Sequence, residues 1–375
     1  MIITDITCKV MNISNFSNWI FIIIKTNTDY YGIGEATLDG NALEVTKFIE
    51  NIKHLYIGKD PFDENLRMVS AFRNLIEASA FSGIDIALWD IIGKYKNVPI
   101  YKLLGEVHNL ELKTYATFNR ALKKRDIEDF EKTSIEVINR GFSGIKIAPF
   151  DGYTWQDKSL QKNHFIERGI ERIKSVRSAI GYNCELRIDN HWRFDVKTAI
   201  EVGCLIKHLE PYWFEAPVSE NEGKKVREVL EGTQLQIAGA EMQFTLQSLQ
   251  TLFDNDSLDI YMFDIKYIGG ITGILEANRI AEKRGKKFSP HNMTGPVATA
   301  ASMHVSAVCK NFDSLEYHVE ENDFVHTVSD LSYKLENSKV KLSDKIGLGI
   351  DLNFNVIDKH PYKETVSFRE NLLGG

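Results

Sequence analysis

Two apolar-rich runs open the chain, residues 2–11 and 19–26, and the polar stretch "NISNFSN" separates them. Runs of this length, rich in Ile and Val and bounded by Asn and Ser, predict two strands. The more apolar one, "WIFIIIK" at 19–25, is too short to span a bilayer and has neither a basic segment nor a cleavage-like site around it. The turn-rich "TNTDYYGIGEA" follows, and helical patterning then takes over. Within 65–95, "ASAFSGIDIALWDIIGK" is small or apolar on nearly every face, which predicts a well-buried helix ended by Gly93. Residues 1–110 are therefore expected to form a small α+β unit.

From about residue 111 the texture changes to short β-rich runs alternating with amphipathic helical stretches. The runs are "LKTYATF" (112–118), "GIKIAPF" (144–150), "ELRID" (185–189), "YWFEAP" (212–217), "QIAGAE" (236–241), "DIYMFDI" (259–265), "KFSPH" (287–291) and "SLEYH" (314–318). Between the second and third, Ile166, Ile170, Ile173, Val176 and Ile180 recur at helical spacing. Strand then helix, repeated eight times, predicts an α/β fold with a closed parallel (β/α)8 barrel of the TIM type over 111–325.

Composition narrows the partners. The 375 residues are 43% hydrophobic and 26% charged, enough for a large core or two domains. A net charge of −7 and a pI near 5.9 give a field that repels nucleic acid and anionic membranes, so neither is expected as a partner. Cys8, Cys184, Cys204 and Cys309 follow no ligand or disulfide spacing. They read as inert thiols in a reducing compartment, and a cytoplasmic location is expected.

Polar residues recur at the C-terminal ends of the predicted barrel strands. The steps are 26 residues from Asp189 to Glu215, 26 to Glu241, 23 to Asp264, 27 to His291 and 25 to Glu316. A βα unit has about this length, so these residues would ring one mouth of the barrel. Asp189, Glu215 and Glu241 would make an oxygen-ligand site suited to Mg²⁺, since three carboxylates brought together without a cation repel strongly. Asp264 would orient His291 on the next strand and raise its basicity, making it a candidate general base. In "LRIDNHWRFD", Asp189, His191 and Arg193 stand two residues apart, and a persistent strand would put all three on one face.

Substrate contacts are less sharply marked. Arg193 reads equally as a ligand for a carboxylate or sugar hydroxyl and as a salt-bridge partner of Asp195 or another loop acid. Tyr153, Trp155 and His164 fall in the 43-residue connection between Lys146 and Asp189, which either folds over the site or is a solvated insertion. Asn119 and Arg120, just beyond the first barrel strand, are further substrate-binding candidates.

The motifs "SGIDIALWDIIGKYKNVPIYKLLG", "RIDN", "WFEAP", "AGAE", "DIKYIGGITG", "SPHNMTGPVA" and "LEYH" together make the chain resemble the enolase superfamily, in its mandelate racemase group, over nearly its whole length. The resemblance implies an enolase-like modified barrel under a cap of residues 1–110, completed by a returning segment, 326–375. It implies one Mg²⁺ per subunit on Asp189, Glu215 and Glu241, stabilising the dianionic intermediate formed when a base removes the substrate α-proton. Lys146 resembles the first lysine of the family's Lys-x-Lys motif, beside a carboxylate oxygen. Glu316 resembles the acid of the eighth strand that, when protonated, donates to the opposite oxygen. His191 matches the histidine, two residues after the first metal ligand, with which sugar-acid dehydratases of the group protonate the departing β-hydroxyl.

Two departures narrow the expectation. Position 148 is Ala, where many members carry the second lysine of Lys-x-Lys, and position 264 is Asp, where muconate-lactonising and dipeptide-epimerising relatives carry a catalytic lysine. The resemblance then implies a Mg²⁺-dependent sugar-acid dehydratase of the His–Asp type, acting on a small-molecule substrate as a homo-oligomer. An epimerase, racemase or cycloisomerase using the same enediolate is the first alternative. A catalytically silent metal-binding or scaffold protein of this fold is the second.

Overall fold

The computed structural model describes residues 1–67, 71–158, 161–319, 322–330 and 335–365. The N-terminal unit begins with an antiparallel meander of β1 (Ile3–Asn12), β2 (Asn18–Thr26) and β3 (Tyr31–Glu35), followed by α1 (Ala42–Ile52), α2 (Leu75–Lys96) and α3 (Tyr101–Leu104). β3 lies inside the stretch that reads as turn. Its glycines are there for close approach: a Cβ on Gly32 would lie 2.0 Å from the Ala87 carbonyl oxygen, and one on Gly34 would lie 1.9 Å from that of Gly83. Gly93 does not end α2, which continues to Lys96 and stops at Asn97 in the left-handed region, φ 56°. The glycine instead admits Gly347, whose Cα would lie 2.8 Å from an added Cβ.

Eight strands follow: β4 (Glu111–Thr117), β5 (Gly144–Ile147), β6 (Glu185–Asp189), β7 (Pro211–Glu215), β8 (Ile237–Gly239), β9 (Ile260–Tyr261), β10 (Lys287–Phe288) and β11 (Leu315–His318). Sequential neighbours from β4 to β10 pair in parallel, and β11 returns to β4. The last gap closes through a parallel bridge between Phe288 and Phe312. The connections carry α4 (Ile127–Asn139), α5 (Lys162–Ile180), α6 (Val196–Ile206), α7 (Gly223–Thr233), α8 (Leu246–Asp254), α9 (Gly270–Lys283) and α10 (Pro296–Val308). This is the expected α/β barrel, built by strand–helix–strand repetition with parallel neighbours.

The chain continues through α11 (Asn322–Val328), β12 (Leu335–Glu336), β13 (Lys339–Lys341) and α12 (Phe354–Lys359). β13 pairs antiparallel with β4, while α12 lies by β1, where Lys9 meets Asp358 at 2.6 Å and Asn12 N donates to His360 O at 2.8 Å.

Buried carboxylates hold the N-terminal unit to the barrel. Glu35, at the end of β3, accepts from Thr294 Oγ1 and Gly295 N, both at 2.7 Å, and from Val297 and Ala298 N, so it satisfies the open N–H groups that begin α10. Asp85 on α2 accepts from Thr272 N and Oγ1 on α9. Its burial outweighs these hydrogen bonds and pushes the carboxyl up to about 7.

Candidate active site

A cavity of about 290 Å³ lies between the barrel mouth and the N-terminal unit. At its inner end are Lys146, Asp189, His191, His291 and Glu316, and at its outer end are Thr37, Asp39, Asn41, Asn119 and Arg120. Strand termini place the inner groups, because the mouth of a parallel barrel collects the residues that end each strand. Asp189 and Glu215 are register partners at the ends of β6 and β7. Asp264 and His291 form a parallel bridge just beyond β9 and β10.

The acids at the mouth are buried, and each is met by a cation or an imidazole. Lys146 Nζ lies 2.8 Å from both Glu215 Oε1 and Glu316 Oε1 and 3.9 Å from Asp189 Oδ2. His191 Nε2 is 3.0 Å from Asp189 Oδ2, and His291 Nε2 is 3.4 Å from Glu241 Oε2. Trp213 Nε1 donates to the second oxygen of Glu215 at 2.8 Å. Burial raises Glu215 well above the usual carboxylate range; Lys146 opposes that, while Asp189, Glu241 and Glu316 add to it. Burial would lower Lys146, but Glu215 and Glu316 raise it well above an ordinary lysine. Asp189 goes the other way from Glu215: burial disfavours its charge, yet His191 and Lys146 hold it below the ordinary range.

Among the described residues, no three His, Cys, Asp or Glu side chains are arranged to enclose a metal ion. The donor chemistry of Asp189, Glu215 and Glu241 nevertheless suits one. They are buried carboxylates from the ends of three successive strands; burial first and then the charge of its neighbours raise Glu215, and a hard divalent cation would relieve that repulsion.

The imidazole at the opposite wall is oriented from behind. His291 Nδ1 bonds to Asp264 Oδ2 at 2.7 Å, and Lys266 bonds the same carboxylate through Nζ at 2.9 Å and through its backbone N at 2.8 Å. Lys266 Nζ also donates to Met293 O. Burial disfavours the Asp264 charge, but Lys266 and His291 hold the carboxyl below its ordinary range. Burial also disfavours the His291 charge, and Glu241 with the Asp264 bond raises the ring above an ordinary histidine.

Residues 130–356 match the enolase C-terminal domain-like family, and residues 6–105 match the mandelate racemase / muconate lactonizing enzyme N-terminal domain. The chain belongs to the mandelate racemase / muconate lactonizing enzyme family. It is 27% identical over 348 residues to the arabinonate dehydratase of Saccharolobus solfataricus, covering 91% of this chain and 90% of the relative. It is 27% identical over 370 residues to the D-gluconate/D-galactonate dehydratase of Picrophilus torridus, covering 96% and 92%. Among solved structures, the mandelate racemase/muconate lactonizing enzyme from Sulfitobacter sp. superposes with a TM-score of 0.89 at 23% identity, covering 97% of this chain and 96% of that one. A like protein from Roseovarius sp. TM1035 gives 0.88 at 22% identity, with 98% and 97% covered. No helix among the described residues is long and apolar enough to cross a membrane.

In this family member the structure separates the residues expected at the site. Lys146, Asp189, His191, His291, Glu316, Asn119 and Arg120 line the cavity, and Glu215, Glu241 and Asp264 touch residues that do. Arg193 and Tyr153 do not line it. The strand geometry that would put Arg193 beside Asp189 ends with β6: His191 and Trp192 both turn left-handed, φ 49° and 57°, and Trp192 N donates to Ala216 O. Arg193 consequently donates to Tyr153 O at 2.8 Å and approaches Asp151 at 3.8 Å, taking the loop-acid alternative. Tyr153 is buried against Phe165 and Phe194. Trp155 is exposed, and His164 sits on α5, which occupies the second half of the long connection.

Sequence reasoning assigned no role to Lys266, Asp39 or Glu35. Lys266 stands two residues after Asp264 in "DIKYIGG", a charge inside an apolar run, which was the available signal. Asp39 in "TLDGN" looks like an ordinary turn acid; its partner, Arg120, is 81 residues away.

Proposed function

We propose that the chain is a Mg²⁺-dependent hydro-lyase that removes the α-proton of a sugar carboxylate and expels the β-hydroxyl, yielding a 2-keto-3-deoxy acid. One observation carries the reading: two imidazoles, His291 backed by Asp264 and His191 beside Asp189, line the same small cavity. His291 is the base. With its Nδ1–H given to Asp264, Nε2 keeps the lone pair that takes the proton. Lys266 keeps Asp264 ionised and in place. His191 gives a proton to the departing hydroxyl, a poor leaving group without one. Lys146 sets positive charge beside the substrate carboxylate, next to Glu316. Asp189, Glu215 and Glu241 would hold Mg²⁺, which when bound supplies Lewis-acid stabilisation of charge on that carboxylate.

The curated relatives are named as dehydratases of sugar acids, which supports elimination over simple proton exchange. A two-base epimerase is disfavoured by Ala148, whose backbone N–H is bonded to Asn119 Oδ1 at 2.9 Å. The test is a panel of sugar acids with Mg²⁺ and detection of 2-keto acid, repeated with a chelator and after metal is restored. Keto-acid release that a chelator abolishes reversibly is expected. Exchange or epimerisation at C2 without keto acid throughout the panel would replace the dehydratase reading, and no turnover of any kind would point to the silent protein.

A further inference from the structure

The outer end of the cavity carries a closed ion pair. Arg120 Nη2 donates to Asp39 Oδ2 at 2.7 Å, and Ser17 Oγ donates to Asp39 Oδ1 at 2.6 Å. The Arg120 side chain is 11% exposed and that of Asp39 39%, so the guanidinium is largely enclosed while the carboxylate, which also lines the cavity, keeps more access to solvent. Asn119 Oδ1 accepts from Ala148 N, which fixes the turn carrying Arg120. Of the residues lining the cavity, Arg120 and Lys146 are the lysines and arginines present, and both already meet carboxylates.

Resting on the sugar-acid reading above, we propose that the substrate bears one carboxylate, taken at the inner end, and that the Asp39–Arg120 pair selects against a second. A hydroxyl is both donor and acceptor, so it can give a hydrogen bond to Asp39 and take one from Arg120 without separating them. A second carboxylate only accepts. It meets the Asp39 charge and must displace it from Arg120, which repels a diacid even though an arginine is present. Asp39 is thus a specificity residue supplied by the N-terminal unit, and Arg120 serves as its anchor and as a donor to the far hydroxyls.

The experiment compares aldonates with the aldarates of the same chain length and configuration. Dissociation constants are measured by calorimetry with Mg²⁺ on the wild type, Asp39→Asn and Asp39→Ser, with folding checked by circular dichroism and keto-acid release followed in parallel. The best-bound aldonate should bind about 100-fold or more tighter than its aldarate. Either Asp39 variant should narrow that ratio by about tenfold, chiefly by tightening the aldarate. An aldarate bound as tightly as its aldonate by the wild type, or a ratio unmoved in the variants that fold, overturns the proposal. Failure of both variants to fold also overturns it, by making Asp39 a structural residue. Asp39-dependent aldonate binding without keto acid keeps the selectivity and removes the dehydratase reading. Binding of neither acid removes both.

Discussion

At the inner end of the cavity, Lys146, Asp189 and Glu316 sit on barrel strands, whereas at the outer end Asp39 and Arg120 sit on connections. The inner charges are nearly inaccessible, with Lys146 3% exposed and Glu316 0%, and are locked into one another's fields. The outer pair crosses from the N-terminal unit to the barrel where Arg120 meets Asp39 at 2.7 Å. The inner end is therefore suited to holding reacting groups in fixed geometry, and the outer end to recognition that can be altered without rebuilding the barrel. Substitutions at the two ends should separate accordingly.

The largest effect belongs to the inner end. His291→Asn should reduce exchange of the substrate α-proton by about a thousandfold, within the range for losing a general base, while leaving metal binding intact. Undiminished exchange, followed by NMR in D₂O, would remove His291 from that role. A smaller effect is expected just outside the cavity. Arg193→Ala should lower the melting temperature through the lost bond to Tyr153 O but leave KM within about threefold, because neither Arg193 nor its contacts Tyr153 and Asp151 line the cavity. A large rise in KM with unchanged stability would return Arg193 to the substrate.

A third effect concerns the junction between the two units. Burial raises Asp85 to about 7 in the folded protein, against about 3.9 in an unfolded chain. Its contribution to stability is complete below the unfolded value and is lost as pH rises through about 7. The melting temperature of Asp85→Asn, relative to wild type, should therefore shift in the variant's favour between pH 5 and pH 8. A difference that stays flat across that window would contradict the raised value.

The inner end was legible in the sequence because strand ends recur at the βα repeat length, and residues 189, 215, 241, 264, 291 and 316 keep that beat. The barrel was legible for the same reason. Periodicity carries no information once the strand stops: the left-handed turn at His191 and Trp192 sends Arg193 away from Asp189, although the spacing alone suggested a shared face. β3 was hidden because glycines needed for contact with α2 look like turn residues. Asp39 and Arg120 were hidden as a pair because their contact is a tertiary one across two units.

The central claim is that the two histidines have separate duties, and His191→Asn tests it most directly. Enediolate formation needs the base but not the acid for the leaving hydroxyl, so the variant should lose most keto-acid release and still return substrate carrying solvent deuterium at C2. The measurement follows both signals in D₂O on an accepted sugar acid, with metal content determined alongside because His191 lies 3.0 Å from Asp189. Deuterium at C2 without dehydration is the predicted result. Near-normal dehydration would contradict the account and make His191 a binding or structural residue.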